Sequence, residues 1–120
     1  LRRKDRPDIS APMPDLAMRT EAVVPPADCP DMPTLRGQID RIDRALVALI
    51  AERTGYIARA AVIKQRRDTV HDDARIEDVV AKIRRAAEAL GVPGDLVEPV
   101  WRELIARSIA YEFEKFDAKG

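Results

Sequence analysis

Apolar residues recur every three or four positions through the stretch from Thr34 to about Arg67. The series consists of Leu35, Ile39, Ile42, Leu46, Leu49, Tyr56, Ala60 and Ile63. This spacing predicts one long amphipathic helix, because side chains three and four residues apart share a helix face. Thr34 is the predicted N-cap, and the helix is expected to end between Arg66 and Thr69.

Two further apolar series predict two shorter helices. The second helix of the chain starts at Asp72 or Asp73 and ends at Gly91, a residue suited to a helix C-terminus. Its apolar positions are Ile76, Val79, Val80, Ile83, Ala87 and Leu90. A turn at residues 93–95 leads into the third helix. The residues on its apolar stripe are Leu96, Val97, Val100, Trp101, Leu104, Ile105, Ser108, Ile109, Glu112 and Phe116. The sequence therefore predicts an all-α protomer of three helices.

Residues 1–33 differ from the rest, because they hold most of the nine prolines and show no sustained periodicity. We interpret them as an N-terminal arm and residues 34–120 as the helical domain. The composition of the arm predicts mobility, and packing along the helices is the alternative.

The three predicted helices are very unequal in length. The first is about 45 Å long, whereas the others are about 25–30 Å long. Such helices cannot close a monomeric bundle, so we expect a second copy to cover the remainder of the long helix. The sequence thus predicts an intertwined homodimer with the long helices at its centre.

The composition is that of one small helical domain, with 46% hydrophobic and 35% charged residues. Lys and Arg (21) balance Asp and Glu (21), so no overall basic field argues for nucleic acid or an anionic membrane as a partner. No apolar run approaches the ~18 residues of a membrane span. We therefore expect a cytoplasmic protein with only a local anion site.

Cys29 and His71 are the single cysteine and the single histidine. One cysteine allows no disulfide within the chain and favours a reducing compartment, where Cys29 is interpreted as an inert thiol. Neither residue has Cys or His neighbours at ligand spacing, so we expect no metal site and no cofactor.

Arg53 stands in the apolar stripe of the long helix, between Leu49 and Tyr56. Burying an unpaired guanidinium is costly, so Arg53 either marks an opening to solvent or faces an anion. Lys64 lies about three turns later on the same face, and both cations are expected to face one groove. Arg36 is roughly 25 Å from Arg53 and rotated by about 100°, so a functional Arg36 is expected to serve the groove of another chain.

Each charged candidate also has an ordinary structural interpretation. Arg and Lys side chains on helices usually extend to solvent or pair with nearby carboxylates. Arg75 falls in the first turn of the second helix, where Asp72 could neutralise it. Glu112 follows Ser108 by one turn, and it either marks where the stripe reaches solvent or points into the groove.

Three runs carry a family resemblance: LRGQIDRIDRALVALIAERTGYIARAAVIKQ, DDARIEDVV and ARSIAYE. They resemble the all-helical class of chorismate mutases and its sister branch, the isochorismate-pyruvate lyases, over about residues 34–117. The residues that occur in family order are Arg36, Arg53, Lys64, Arg75, Ser108 and Glu112. The resemblance implies a three-helix protomer in an intertwined dimer, with two sites that each receive one arginine from the other subunit.

The resemblance also implies roles for the cations. Arg53 and Arg36 of the partner subunit would hold the two carboxylates of chorismate, with Arg75 supplementing them and Lys64 at the enolpyruvyl ether oxygen. The Claisen rearrangement to prephenate is unimolecular, so it requires no nucleophile, metal or general base. The site must restrict a flexible dianion to a chair-like conformer and stabilise charge on the ether oxygen.

Two departures from the mutase pattern favour the lyase branch. Ile76 stands where many mutases place a glutamate that contacts the ring hydroxyl, which leaves Asp72 as the acidic candidate nearby. The connection from Lys64 to Arg75 is also one residue shorter than in many mutases. Ser108 favours the mutases, so chorismate mutase is the main prediction and isochorismate-pyruvate lyase the alternative. A non-catalytic helical dimerisation or ligand-sensing module is the third hypothesis.

Glu112 occupies the position at which bacterial enzymes of both branches commonly carry a glutamine that donates to the ether oxygen. An ionised carboxylate cannot donate a hydrogen bond, so Glu112 must be protonated to take this role. Lys64, Glu112 and Arg53 are the predicted catalytic residues, and activity is expected to fall as pH rises.

Overall fold

The computed structural model describes residues 22–119. Three α-helices occupy most of them: α1 (Met32–Ile63), α2 (Asp73–Ala89) and α3 (Gly94–Ala118). Two 3-10 turns, Pro26–Asp28 and Arg67–Thr69, precede and follow α1, and no strand occurs within the described range. The predicted all-α fold with one long first helix is confirmed. Most of the predicted arm lies outside the described residues.

The chain divides into two compact units, residues 1–53 and 54–120, and each is described by itself. In the first unit, the amide Nε2 of Gln38 donates to the carbonyl of Ala22 at 3.0 Å. Ala45 is buried, whereas large apolar side chains of α1 are exposed. Ile39 is 51% exposed and Val47 is 64% exposed. This part of α1 therefore carries far more apolar surface than its own unit covers.

The start of α1 differs from the prediction, because Asp31 and not Thr34 caps the helix. Oδ1 of Asp31 accepts from the Thr34 amide at 2.8 Å, and its carbonyl accepts from Leu35 at 3.1 Å. The hydrogen bonds from Thr34 lower the pKa of the Asp31 carboxyl. The proline at position 33 has no N–H to satisfy and suits the first turn, so the helix begins upstream of it.

The end of α1 also differs from the prediction, since the helix ends at Ile63 and not between residues 66 and 69. Lys64 continues the hydrogen-bond ladder through its amide, which donates to Ala60 at 2.9 Å. Arg66 is extended and forms a two-bond ion pair with Asp68. The carbonyl of Arg66 accepts from the amide of Thr69 at 3.2 Å and from its Oγ1 at 2.6 Å, and these local hydrogen bonds favour a separate 3-10 turn.

Both ends of α2 follow the prediction. Oδ1 of Asp72 accepts from the Arg75 amide at 3.1 Å, which makes Asp72 the N-cap. At the other end, Val92 donates to the carbonyl of Ala87 at 2.8 Å, and Gly91 has a φ of 78°. This is the Schellman arrangement, for which glycine is favoured because a side chain strains a positive φ.

Helices α2 and α3 pack against each other over a small core that includes Val80, Ala87 and Ile105. Gly94 begins α3 and is buried. A Cβ added there would lie 2.7 Å from the guanidinium carbon of Arg84, so this approach of Arg84 depends on glycine.

Exposed and half-buried ion pairs join the same two helices. Arg84 reaches Glu98 at 2.6 Å and Asp95 at 3.1 Å, both on α3. Arg102 of α3 reaches both carboxylate oxygens of Glu77 at 2.9 Å and Glu98 at 2.8 Å. We call these five residues the interhelical ion network.

Candidate active site

The structure brings together two of the predicted catalytic side chains, Lys64 and Glu112. Nζ of Lys64 lies 2.8 Å from Oε2 of Glu112. The Glu112 side chain is only 5% exposed, whereas that of Lys64 is 30% exposed. Despite the short distance, the approach lacks hydrogen-bond geometry, and Oε2 is buried without a hydrogen bond. The two side chains are thus in close contact, while Oε2 of Glu112 can still form a hydrogen bond with another group.

The helical period of α3 places Glu112 on an inward face. Ile105, Ser108, Ile109 and Glu112 are separated by three or four residues and therefore share one side of the helix. Ile105 and Glu112 are buried, and the other two are half-buried. Oγ of Ser108 donates to the carbonyl of Leu104 at 2.7 Å, which orients the hydroxyl along its own helix. Glu112 is therefore not at the point where the stripe reaches solvent.

A small apolar cavity lies between α2 and α3. Its volume is about 210 Å³, and it is lined by His71, Ile76, Arg102, Ile105, Ala106 and Ile109. Ile105 and Ile109 share the α3 face of Ser108 and Glu112, so the cavity follows the same side of this helix. Ile76 presents a hydrocarbon wall where the resemblance leads one to look for a carboxylate.

Asp72 and Arg75 are both occupied by local contacts. Asp72 uses Oδ1 for the backbone cap, while the Arg75 guanidinium reaches Asp78 at 2.9 Å. Asp78 also accepts from Lys82 at 2.8 Å, and these cations lower the pKa of the Asp78 carboxyl. The Arg75 side chain is 63% exposed. Asp78, one turn further along α2, therefore neutralises the Arg75 guanidinium.

Arg36 and Arg53 belong to the first unit. Arg36 is exposed and Arg53 is half-buried. Arg53 interacts with another group of the chain. Its guanidinium has five N–H donors and can serve more than one acceptor. A common groove for Arg53 and Lys64 stays a prediction.

Two residues that the sequence analysis did not single out have unusual environments. Arg41 is only 7% exposed; its Nε donates to Gln38 at 3.0 Å, and its Nη1 is buried without a hydrogen bond. Lys119, which follows α3, donates to the carbonyl of Ala61 in the last turn of α1 and to that of Lys64 just after it. Arg41 precedes Ile42 in a stripe of apolar residues, and Lys119 follows the last periodic position. Neither location therefore signals a special role in the pattern.

Within residues 22–119, no group of three or more Cys, His, Asp or Glu side chains is placed to hold a metal ion. Nε2 of His71 lies 2.8 Å from Oδ1 of Asp73, and Cys29 is half-buried near the carbonyls of Val24 and Pro25. None of the described helices is both long and apolar enough to cross a membrane.

Comparison with known proteins places these residues in a family. The family described as chorismate mutase type II matches residues 35–113. T-protein of Enterobacter agglomerans is 37% identical over 86 residues, which are 71% of this chain and 23% of that protein. Isochorismate pyruvate lyase of Pseudomonas aeruginosa is 27% identical over 89 residues, which are 74% of this chain and 88% of that protein. This chain belongs to the chorismate mutase type II family.

Proposed function

We propose that this protein is a chorismate mutase that converts chorismate to prephenate. The contact between Lys64 and the buried Glu112 at 2.8 Å is the observation that carries the proposal. The apolar cavity supports it further, because two of its lining residues, Ile105 and Ile109, share the α3 face of Glu112. Family membership supports the same reaction. The chain spans less than a quarter of T-protein, so the activity rests on this site and on the family.

The proposed mechanism needs only charge and shape. Lys64 donates to the ether oxygen as its C–O bond breaks, because a compact ammonium stabilises charge that develops at one atom. Arg53 and Arg36 of the partner subunit hold the two carboxylates, a task suited to the bidentate guanidinium. Restricting the dianion to a reactive conformer removes much of the entropic barrier. Protonated Glu112 supplies a second donor to the ether oxygen.

The cavity between α2 and α3 suits the cyclohexadiene ring of the substrate. Its walls include the aliphatic side chains of Ile76, Ile105 and Ile109. The hydrocarbon wall at Ile76 offers no hydrogen bond to the ring hydroxyl, which leaves Asp72, the N-cap of α2, as the proposed acidic contact. In this proposal, the Arg75 guanidinium leaves its ion pair with Asp78 and binds a carboxylate of the substrate, which adds to the contacts made by the other two arginines.

We also propose an intertwined homodimer in the cytoplasm. Exposed apolar side chains of α1 support the dimer, since Leu46 and Leu49 are 47% and 48% exposed in the single chain. A second copy would bury such residues at ~25 cal/mol per Å² of apolar surface. Arg36 is exposed on this helix, which suits donation to the site of another subunit.

The decisive experiment follows the loss of chorismate absorbance and identifies the product. We expect prephenate from wild-type protein and a strong loss with Lys64→Ala. Lys82→Ala is the matched control, because Lys82 is an exposed lysine paired with Asp78 on α2. Absence of turnover by folded wild-type protein would instead favour the non-catalytic module.

Isochorismate-pyruvate lyase is the second candidate, and two observations favour it. One relative carries this name and aligns over most of its own length. Ile76 also provides an apolar wall, as the resemblance implies for the lyase branch. Formation of salicylate and pyruvate from isochorismate, with no prephenate from chorismate, would establish this alternative.

Completion of the site by the partner has its own test. Arg36→Ala and Arg53→Ala proteins are each expected to be inactive. After subunit exchange, a mixed dimer would hold one site with both arginines intact, so part of the activity should return. Proven exchange without any recovery would reject the shared site.

A further inference from the structure

We infer that Lys119 is a positioning residue that fixes Lys64 for the reaction, an inference that rests on the proposed function. Nζ of Lys119 donates to the carbonyl of Lys64 itself at 2.7 Å. It also reaches the carbonyls of Ala61 at 2.6 Å and Val62 at 3.4 Å. The ammonium of Lys119 therefore caps the carboxyl end of α1, and one of the carbonyls that it binds belongs to Lys64, the proposed catalytic residue.

The end of α1 has need of such a cation. The last carbonyls of a helix lack intrahelical partners and carry partial negative charge. The last turn of α1 contains no basic residue of its own. Lys119 supplies charge-assisted hydrogen bonds to these carbonyls from another helix. Its ammonium also lies 4.2 Å from the ring centre of Phe116, which limits its movement.

A second contact anchors the chain just after Lys64. The guanidinium of Arg67 forms two hydrogen bonds to Asp117, at 2.9 and 3.2 Å, and lies 4.4 Å from the ring centre of Phe113. Arg67 lowers the pKa of the Asp117 carboxyl, so this pair stays charged at neutral pH. The segment that carries Lys64 is therefore attached to the last turns of α3 on both sides.

Helix α3 thus holds Lys64 at two points. Lys119 holds its main-chain carbonyl, and Glu112 contacts its Nζ. Without Lys119, the contact of Nζ with Glu112 would remain, but the main-chain carbonyl of Lys64 would lose its hydrogen bond to α3. Since catalysis depends on the position of a donor to within about 1 Å, loosening the main chain should weaken the transition state more than substrate binding.

The first test compares Lys119→Ala with Lys115→Ala at a temperature where both proteins are fully folded by circular dichroism. Lys115 is one turn earlier on α3, and its ammonium lies over the ring of Tyr111. We expect kcat to fall about tenfold in Lys119→Ala with little change in KM. Lys115→Ala should behave like wild type, and Lys119→Arg should recover much of the loss because it keeps the donors.

The second test asks whether Lys119 acts through Lys64. In a Lys64→Ala background, Lys119→Ala should cause no further loss of kcat, because the residue that it positions is gone. A purely structural role would give equal and additive losses in both backgrounds. That additivity would overturn the inference, as would an unchanged kcat in Lys119→Ala.

A third measurement does not depend on turnover. The ¹H–¹⁵N signal of the Lys64 side-chain ammonium, assigned by its absence in Lys64→Ala, should broaden or disappear in Lys119→Ala and persist in Lys115→Ala. If wild-type protein converts neither chorismate nor isochorismate, the proposed function fails and this signal alone decides the positioning role. An identical Lys64 signal in Lys119→Ala and wild type would then overturn it.

Discussion

Two groups of charged residues in residues 54–120 use opposite arrangements. In the interhelical ion network, Arg102 gives two hydrogen bonds to Glu77 and one to Glu98 on the protein surface. Around Lys64, by contrast, the carboxyl of Glu112 is almost fully buried and makes no hydrogen bond through Oε2. The charged groups of the network therefore hydrogen-bond to one another, whereas Oε2 of the buried Glu112 can still accept a hydrogen bond from another group.

This difference indicates what each group is for. Exposed ion pairs contribute little each, and here they add directional contacts between α2 and α3. Removing the carboxylate of an ion pair from water costs free energy, which its attraction to the cation offsets only with good hydrogen-bond geometry. The contact between Lys64 and Glu112 lacks that geometry, so it is a poor device for stability. This arrangement is consistent with the proposed site, which must receive a polar ligand.

The largest effect is expected from removing the site cations. Lys64→Ala and Arg53→Ala should each reduce kcat by about 10²–10³, because one charge-directed donor commonly contributes ~3–4 kcal/mol to the transition state. Each protein should remain folded, since these cations serve the ligand. Steady-state kinetics with circular dichroism checks both statements.

Control proteins sharpen this result. Lys82→Ala removes an exposed lysine from α2 and should leave both turnover and folding nearly unchanged. Near-normal turnover in Lys64→Ala and Arg53→Ala would contradict a catalytic site and favour the non-catalytic module. Normal turnover at low temperature with a collapsed melting temperature would make these cations structural.

A smaller but more specific effect is expected from pH. Only a protonated Glu112 can donate to the ether oxygen, and an ionised carboxylate would repel the charge that develops there. Activity should therefore fall as pH rises. Glu112→Gln keeps a donor at every pH, so it should flatten the profile and raise turnover at neutral pH.

Glu114→Gln is the matched control for this experiment, because Glu114 is an exposed glutamate on the same helix. Its pH profile should follow that of wild type. A wild-type profile that is flat from acid to neutral pH, and unchanged in Glu112→Gln, would show that Lys64 supports the ether oxygen alone.

The fold was predictable from local patterns, and its helix ends were less so. Asp72 and Gly91 give strong signals for a helix start and end, and both predictions are confirmed. Asp31 was missed because Thr34 is also a favourable capping residue, and the choice depends on how the chain enters the first turn. The end of α1 depends on local hydrogen bonds at Arg66, and these cannot be predicted from the spacing of apolar residues.

The site was predictable only in part. The period of α3 put Glu112 on the apolar stripe, and its burial follows from that position. Its distance to Lys64 depends on packing between elements that are far apart in sequence. Lys119 was missed for the same reason, because its partners are main-chain carbonyls. Backbone groups carry no residue-specific signal in a sequence.

The smallest expected effect concerns the interhelical ion network, through the variant Glu77→Gln. Hydrogen bonds from Arg102 hold the pKa of Glu77 below its usual value of 4.5. A carboxyl with a lowered pKa in the folded state stabilises the protein at neutral pH, and this contribution is lost as pH falls through the lowered pKa. Glu77→Gln should therefore lower the melting temperature slightly at neutral pH.

Two conditions should abolish the difference between Glu77→Gln and wild type. At a pH below the lowered pKa, Glu77 is protonated and as neutral as glutamine, so the two melting temperatures should converge. High salt at neutral pH should also bring them together, because exposed charges are screened. Glu103→Gln is a useful control, since Glu103 is exposed and pairs with Arg107 within its own helix, α3. If Glu77→Gln still lowers the melting temperature in acid and in high salt, this carboxyl acts through packing. The interhelical ion network would then not differ from the contact between Lys64 and Glu112 in how its charges are paired.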